Sequence, residues 1–268
     1  MPDSAAAFTH VPLPAAATFQ GDGNVVSNLQ KWDLFAHLRL TRYKYSKHYH
    51  RYDAEGFAND FLKDASVLQT LPVLGEDNKT WTTASEAHTD ESASAAAVPA
   101  TLTSVDALEK VKGTEAVRDD GMINKQFDAE YHGIVASDVL RDMLLAGEEA
   151  EVSADDIWTE KERDEFLVQL FRHLAVGGTL NQFEDHVQPL IDTARAMYKS
   201  LLSVRKGAND TVEVTSGVYR VTGRDGAQPP AWLFPGGMET HPQSFCYLIT
   251  DPVRKHVVVL YHKHATRW

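Results

Sequence analysis

The chain has 268 residues, 43% of them hydrophobic, enough to bury a sizeable core in one or two domains. Its net charge of -12 and pI near 5.4 weigh against a protein whose main work is coating nucleic acid or an anionic membrane, though a local basic patch remains compatible with them. A single cysteine, Cys246, excludes an internal disulfide and fits a reducing cytosolic compartment.

Residues 1 to about 17 are rich in Ala and Pro without periodicity and read as a flexible tail. They lack the basic start and apolar core of a secretion signal, and no run approaches the roughly 18 apolar residues of a membrane span, so a soluble intracellular protein is expected. Beyond the turn-like Gly21-Asp22-Gly23-Asn24, the spacing of Val26, Leu29, Trp32, Leu34, Phe35 and Leu38 predicts a helix over 25–38. Residues 39–52 then interleave Arg39, Arg42, Lys44, Lys47 and Arg51 with Tyr43, Tyr45, Tyr49 and Tyr52. Such a pattern could stack single-stranded bases while pairing phosphates. An amphipathic strand with tyrosines inward and basic residues toward water is the simpler reading. His48 and His50 have no third ligand nearby in sequence and read as surface residues.

Residues 53–65 suggest a short helix with Phe57, Phe61 and Leu62 on one side, followed by an extended segment over 67–74. From 82 to about 101 the composition shifts to Thr, Ala, Ser and Glu, with Val98 the only large apolar residue. That composition buries too little surface to offset ordering entropy and predicts a disordered insert. A short charged helix is expected over 104–117, and a cleaner one within 121–146. There Ser137-Asp138 caps a run that puts Val139, Leu140, Met143 and Leu144 on one face, and Gly147 stops it.

Residues 164–221 carry the strongest periodicity. Thr159 and Glu162 form a capping-box pattern, and Phe166, Leu167, Leu170, Phe171 and Leu174 fall within an arc of about 140° of one helix. His173 sits just outside that arc; a structural hydrogen bond is favoured for it over catalysis. Gly177-Gly178 ends the helix. A phosphate loop would follow a strand and open a helix, so nucleotide binding is rejected there. Glu184-Asp185 beside His186 invites acid/base or metal chemistry, but carboxylates at a helix start are read as a cap. The second helix places Val187, Leu190, Ile191, Ala194, Met197, Tyr198, Leu201 and Leu202 on one face, with Pro189 in its first turn. Arg205-Lys206 are read as partners of its C-terminal dipole, and Gly207 with Asn209-Asp210 as the exit turn. A strand over 211–222 with a bulge at Gly217 follows.

The Gly- and Pro-rich loop over 223–243 contains Trp232, Phe234 and Gly236-Gly237. Strands over 244–250 and 256–262, joined by a turn starting at Asp251-Pro252, read as an antiparallel hairpin. Both of their faces are apolar, which places the hairpin inside the sheet or under helices. Cys246 therefore reads as a buried small hydrophobe rather than a nucleophile. His256, His262 and His264 offer a metal spacing that is common by chance in a chain with 12 His.

The stretches DEFLVQLFRHLAVGGTLNQFED, LLSVRKGANDTVEVTSGVYRV and SFCYLITDPVRKHVVVLYH resemble the cilia- and flagella-associated protein 300 family. WDLF, FANDFLKDASV and GIVASDVLRDMLL are similar to its N-terminal half. The likeness covers about residues 18–80 and 117–264 in the same order. It implies a protein of motile cilia and flagella that supports assembly of outer and inner axonemal dynein arms, acts in the cytoplasm with dynein preassembly factors, and enters the cilium with intraflagellar transport. It implies no catalytic residue and no cofactor. Residues 1–17, the 82–101 insert and the loop near Trp232 depart from the family pattern.

The expected fold is α+β, with helices packed on an antiparallel sheet. A disordered tail (1–17) precedes an N-terminal segment (18–80) that docks on a main domain (104–268), and an insert (81–103) separates the two. The expected function is a non-catalytic adaptor for dynein subunits or their preassembly factors, located in the cytoplasm and the axoneme of the cilium, without nucleic acid or membrane partners. Contact residues are expected among Arg42, Tyr43, Lys44 and Tyr45 and at Trp232 and Phe234, since Tyr, Trp and Arg are enriched at interface hot spots. The alternatives are a hydrolase joining His173, Glu184, Asp185 and His186, with or without a metal, and an RNA-binding protein using residues 39–52.

Overall fold

The structure, a computed structural model, describes residues 6–87, 93–147, 150–207 and 210–266. Its first half runs β1 (Phe8–Val11), α1 (Gly23–Lys31), β2 (Leu38–Tyr45), α2 (Ala54–Lys63), α3 (Ala65–Leu68), β3 (Pro72–Leu74), β4 (Trp81–Thr83), α4 (Ala84–Ala87), β5 (Ala93–Val98) and α5 (Asp106–Glu109). The second half runs β6 (Lys125–Tyr131), β7 (Ile134–Asp138), α6 (Val139–Ala146), α7 (Glu160–Asp164), α8 (Phe166–Val176), α9 (Gln188–Leu201), β8 (Val204–Lys206), β9 (Val212–Val214), β10 (Gly217–Gly223), β11 (Phe245–Asp251) and β12 (His256–His262). The fold is α+β. Its six-stranded sheet has the order β1-β2-β12-β11-β10-β5, with every neighbour antiparallel.

The β11–β12 hairpin forms as its sequence predicts, and all seven residues of β11 are buried. Alternation along the strand sends Phe245, Tyr247 and Ile249 to one face and Cys246 and Leu248 to the other. The first set packs with Leu29, Phe171, Leu174, Ile191 and Met197 from α1, α8 and α9. The second packs with Phe57, Phe61, Leu71 and Phe234. A strand covered on both faces needs no polar side, which explains the continuous apolar run. Burial also raises the proton affinity of the Cys246 thiol, consistent with its reading as a packing residue.

Several boundaries differ from the sequence reading, each for a tertiary reason. The first helix stops at Lys31 rather than 38, because Asp33 takes a positive φ of 55° and Leu38 already opens β2. The extended segment over 67–74 is strand only at 72–74; Asp64 caps the α3 turn before it. The charged helix over 104–117 shrinks to α5, and the β6–β7 hairpin was not foreseen. In the central unit the capping box forms, but the helix breaks at Glu165. The Glu165 carboxylate accepts from Thr101 N at 2.9 Å, and Phe166 N donates to Pro99 O at 2.7 Å, so a distant strap of chain takes over these bonds. Residues 211–222 form two strands rather than one, and Gly217 opens β10 instead of bulging. Arg205 and Lys206 lie in β8, paired with Glu213 and Asp210, rather than against a helix end. Asn209 falls outside the described residues.

Two segments read as disordered contain strands. Phe8–Val11 pairs with β2, and Ala93–Val98 pairs with β10 at the sheet edge. Composition counts side-chain burial, whereas β5 is held by backbone bonds to β10 and by Asn59 Oδ1 and Glu55 Oε1, which accept from Ala95 N and Ala97 N. The parts of those expectations at 1–5 and 88–92 lie outside the described residues. From the 18–80 segment, β2 sits between β1 and β12, woven into the same sheet as the strands of 104–268.

Candidate functional site

The basic and aromatic stretch folds as the amphipathic strand β2. Tyr43 and Tyr45 are 0% and 2% exposed and meet Phe61 and Phe57 edge-on at 5.1 and 4.8 Å. Trp232 and Phe234 are likewise buried, with Phe234 stacked on Tyr261 at 5.5 Å. These four side chains are core residues and do not present themselves to a partner, because the aromatic enrichment that marks interfaces also marks cores. Of the expected contact residues, the half-buried Arg42 and the exposed Lys44 reach the surface. Arg42 donates to Pro12 O. Arg39 lies 3.9 Å over the Trp81 ring. With Tyr43 and Tyr45 buried, two of the four tyrosines of the stretch are withdrawn from any base-stacking platform, which leaves the exposed Tyr52.

The residues of the hydrolase alternative do not converge. The Glu184 carboxylate accepts from Lys31 Nζ at 2.7 Å and Trp32 Nε1 at 3.0 Å, while Asp185 faces Lys125 at 3.5 Å. Glu184 is therefore a clamp on the end of α1 rather than the cap expected from sequence; Val187, which precedes α9, supplies no side-chain cap. Glu184→Ala strands the buried Trp32 N–H and is expected to lower stability by about 1–3 kcal/mol. Glu184→Gln, which keeps an acceptor, should lose less, as urea midpoints of the two variants will show.

The glycine pair behind α8 completes this clamp. Gly178 N donates to Trp32 O at 2.8 Å and Gln182 N to Lys31 O at 3.0 Å, satisfying carbonyls at the end of α1.

His256 and His262 stand at opposite ends of β12, opposite Asp251 and Phe245. His262 and His264 are buried near His241, which stacks on His264 at 3.5 Å. Burial, as the largest cause, lowers His241 to about 4 and His262 and His264 to about 3. His48 and His50 are exposed with rings 4.1 Å apart. Among the described residues no group of three or more His, Cys, Asp or Glu is placed to hold a metal, and no helix is long and apolar enough to cross a membrane.

A cavity of about 450 Å³ opens between α8 and the sheet, walled by Met143, Leu144, Val168, Arg172, His173 and Arg220 among others. His173 is buried and stacks on Phe245 at 3.8 Å. Gln243 Nε2 donates to His173 O and Gly177 O, each at 2.8 Å, which turns its Oε1 toward His173 Nδ1 at 2.8 Å. Nδ1 therefore carries the proton. The Tyr247 hydroxyl lies 3.0 Å from His173 Nε2 and 2.8 Å from Gln169 Oε1. With a neutral ring, one phenolic proton serves both acceptors. Burial first, then the positive charges of Arg220 and Arg172, hold His173 well below its usual value despite the bond to Gln243. The structural reading of His173 thus stands.

Sequence reasoning passed over the two arginines of this cavity. The available signal was Arg220, which shares a face of β10 with Val218 while Tyr219 and Val221 fill the other, so a charge stands where the period asks for an apolar residue.

The family model for cilia- and flagella-associated protein 300 matches residues 5–262. A Chlamydomonas reinhardtii protein of that name is 35% identical over 265 residues, covering 98% of this chain and 99% of the relative. A Paramecium tetraurelia protein of the same name is 26% identical over 149 residues, covering 55% of this chain and 54% of the relative. No solved structure matches.

Proposed function

This chain belongs to the cilia- and flagella-associated protein 300 family, and we propose that it is a non-catalytic factor supporting the assembly and transport of outer and inner axonemal dynein arms. A role specific to cilia and flagella follows from the family. In the proposed role it binds dynein preassembly factors or dynein subunits in the cytoplasm and reaches the axoneme indirectly through intraflagellar transport. The carrying observation is the end-to-end match to a relative named for cilia and flagella. The adaptor half of the reading is favoured over a hydrolase because His173, Glu184 and Asp185 are committed to separate structural partners.

The partner surface is assigned to Arg42 and Lys44, which lie beside His256 and Val258 of β12 and form a basic strip on an acidic protein. In a flagellated cell lacking the protein, loss of both dynein arms in axoneme cross-sections and slowed beating are expected, with rescue by the intact chain. Arms present at normal density in the deficient cells would overturn the reading. Arg42→Glu with Lys44→Glu should reduce recovery of dynein chains or preassembly factors from cytoplasmic extract. Unchanged recovery would remove this strip from the contact surface.

A further inference from the structure

We propose that the cavity between α8 and β10 is an anion site that takes a phosphate monoester between the guanidinium groups of Arg172 and Arg220. This assignment is independent of the dynein-arm reading. Arg172 comes from α8 and Arg220 from β10, so two elements far apart in sequence bring two like charges to one cavity. Both side chains line the cavity together with His173, Arg172 from the exposed side of α8 and Arg220 half-buried on β10, and their charges disfavour protonation of the His173 ring. Desolvation and then the approach of Arg220 lower the proton affinity of Arg172.

Neither guanidinium makes an ion pair or hydrogen bond among the described residues, in a chain that carries 38 Asp and Glu. The third arginine of the wall, Arg163, is paired with Asp155, and Asp164 stands at the exposed rim. The lining carries three arginines against Asp155 and Asp164, a local excess of positive charge on an otherwise acidic chain. Juxtaposed guanidinium groups repel in the empty cavity and become complementary once an anion lies between them.

The chemistry favours a phosphate monoester over a carboxylate. A monoester carries close to two negative charges at neutral pH and presents three acceptor oxygens, enough for two planar forks. A carboxylate carries one charge and satisfies one fork. The volume of about 450 Å³ lies within the range of ligand pockets, and Met143, Leu144 and Val168 give an apolar wall for the organic part of the ester. His173 supplies a built-in reporter. A dianion beside Arg172 and Arg220 offsets the part of the shift that comes from their charges, burial being the larger part, and a proton on Nε2 would let that nitrogen donate to Tyr247 and free the phenol proton for Gln169.

Phenyl phosphate and inorganic phosphate, titrated into the full chain with phenol as the uncharged control, test the site. Saturable binding of phenyl phosphate is expected, with His173 imidazole signals moving during the titration. Arg172→Gln and Arg220→Gln should each weaken it by about tenfold or more, since each removes a charge-assisted bidentate contact. Arg172 is exposed on its helix, so its variant keeps the fold even if Arg220→Gln does not; urea midpoints check this. A phosphoserine peptide binding more tightly than phenyl phosphate identifies a phosphorylated protein as the source. Equal or weaker binding identifies a free small molecule. Absence of saturable binding up to about 10 mM, a level weaker than functional ligands need, would overturn the proposal. So would equal affinity for the intact chain and the Arg172→Gln variant.

Discussion

Acidification from about pH 7.5 to pH 5 is expected to unfold the protein, before its carboxylates titrate, because four buried histidines must remain neutral in the fold. His173, His241, His262 and His264 all have proton affinities lowered mainly by burial, with His241 at about 4 and His262 and His264 at about 3. Each folded value lies below the unfolded value of about 6.5. The unfolded chain therefore binds more protons, and the stability these groups allow is fully present above pH of about 6.5 and is lost as pH falls toward the folded values. Well inside that window each contributes a slope of about 1.4 kcal/mol per pH unit, and four together about 5 kcal/mol per unit. The roughly 1.5 units between about pH 6.5 and pH 5 therefore remove about 8 kcal/mol, of the size of a usual domain stability of about 5–15 kcal/mol. The depressed carboxylates Asp77, Asp120 and Glu162 act in the same direction only below about pH 4, where unfolded carboxylates protonate. Urea unfolding midpoints followed by tryptophan fluorescence at about pH 7.5, 6.5 and 5.5 measure the slope. A midpoint independent of pH over that range would show that the histidines are not held neutral. In His262→Gln the slope should fall by about a quarter, since one of four titrating groups is gone.

The burial of these four histidines was not visible in the sequence, whereas the hairpin that carries one of them, His262, was. The runs FCYLI and VVVLY announce a strand pair covered on both faces, because alternation leaves no polar side for water. Capping residues were legible for the same local reason: Thr159 with Glu162 and Asp138 each bond within three residues. What failed were readings in which a distant segment supplies the partner. Glu165 breaks a periodic helix because Thr101 and Pro99 reach it, and Ala93–Val98 becomes a strand because β10 presents an open edge. Glu184 looked like a cap because of where it stands in the chain, yet its partners Lys31 and Trp32 lie 153 and 152 residues away. The candidate surface followed the same division. The alternation of β2 gave Arg42 and Lys44 to solvent and Tyr43 and Tyr45 to the core. Nothing local in 223–243 indicated that Trp232 and Phe234 fold inward, nor that Arg172 and Arg220 meet.

Gly177→Ala is expected to lower stability by about 2–4 kcal/mol, and the cause is specific to the junction between α8 and α1. Gly177 has φ of 67° and ψ of -167°, a conformation that side chains other than glycine's scarcely occupy. A Cβ there would lie 2.0 Å from Asn181 Nδ2 and 2.9 Å from Trp32 O. Asn181 has no free room to yield, since its Nδ2 donates to Val176 O at 2.9 Å and so closes the end of α8. The Trp32 carbonyl is held by Gly178 N at 2.8 Å, and Gly177 O receives the Gln243 amide that orients His173. The substitution therefore adds loss of one or two hydrogen bonds to backbone strain. Gly133→Ala separates the two contributions, because Gly133 has φ of 76° with nothing within 4 Å of the added carbon. It should lose only the conformational part, about 1–2 kcal/mol. A urea midpoint for Gly177→Ala no lower than that of Gly133→Ala would mean that the glycine serves only to end its helix. A clearly lower one ties the end of α8 to the end of α1 and to the polar network of the arginine-walled cavity.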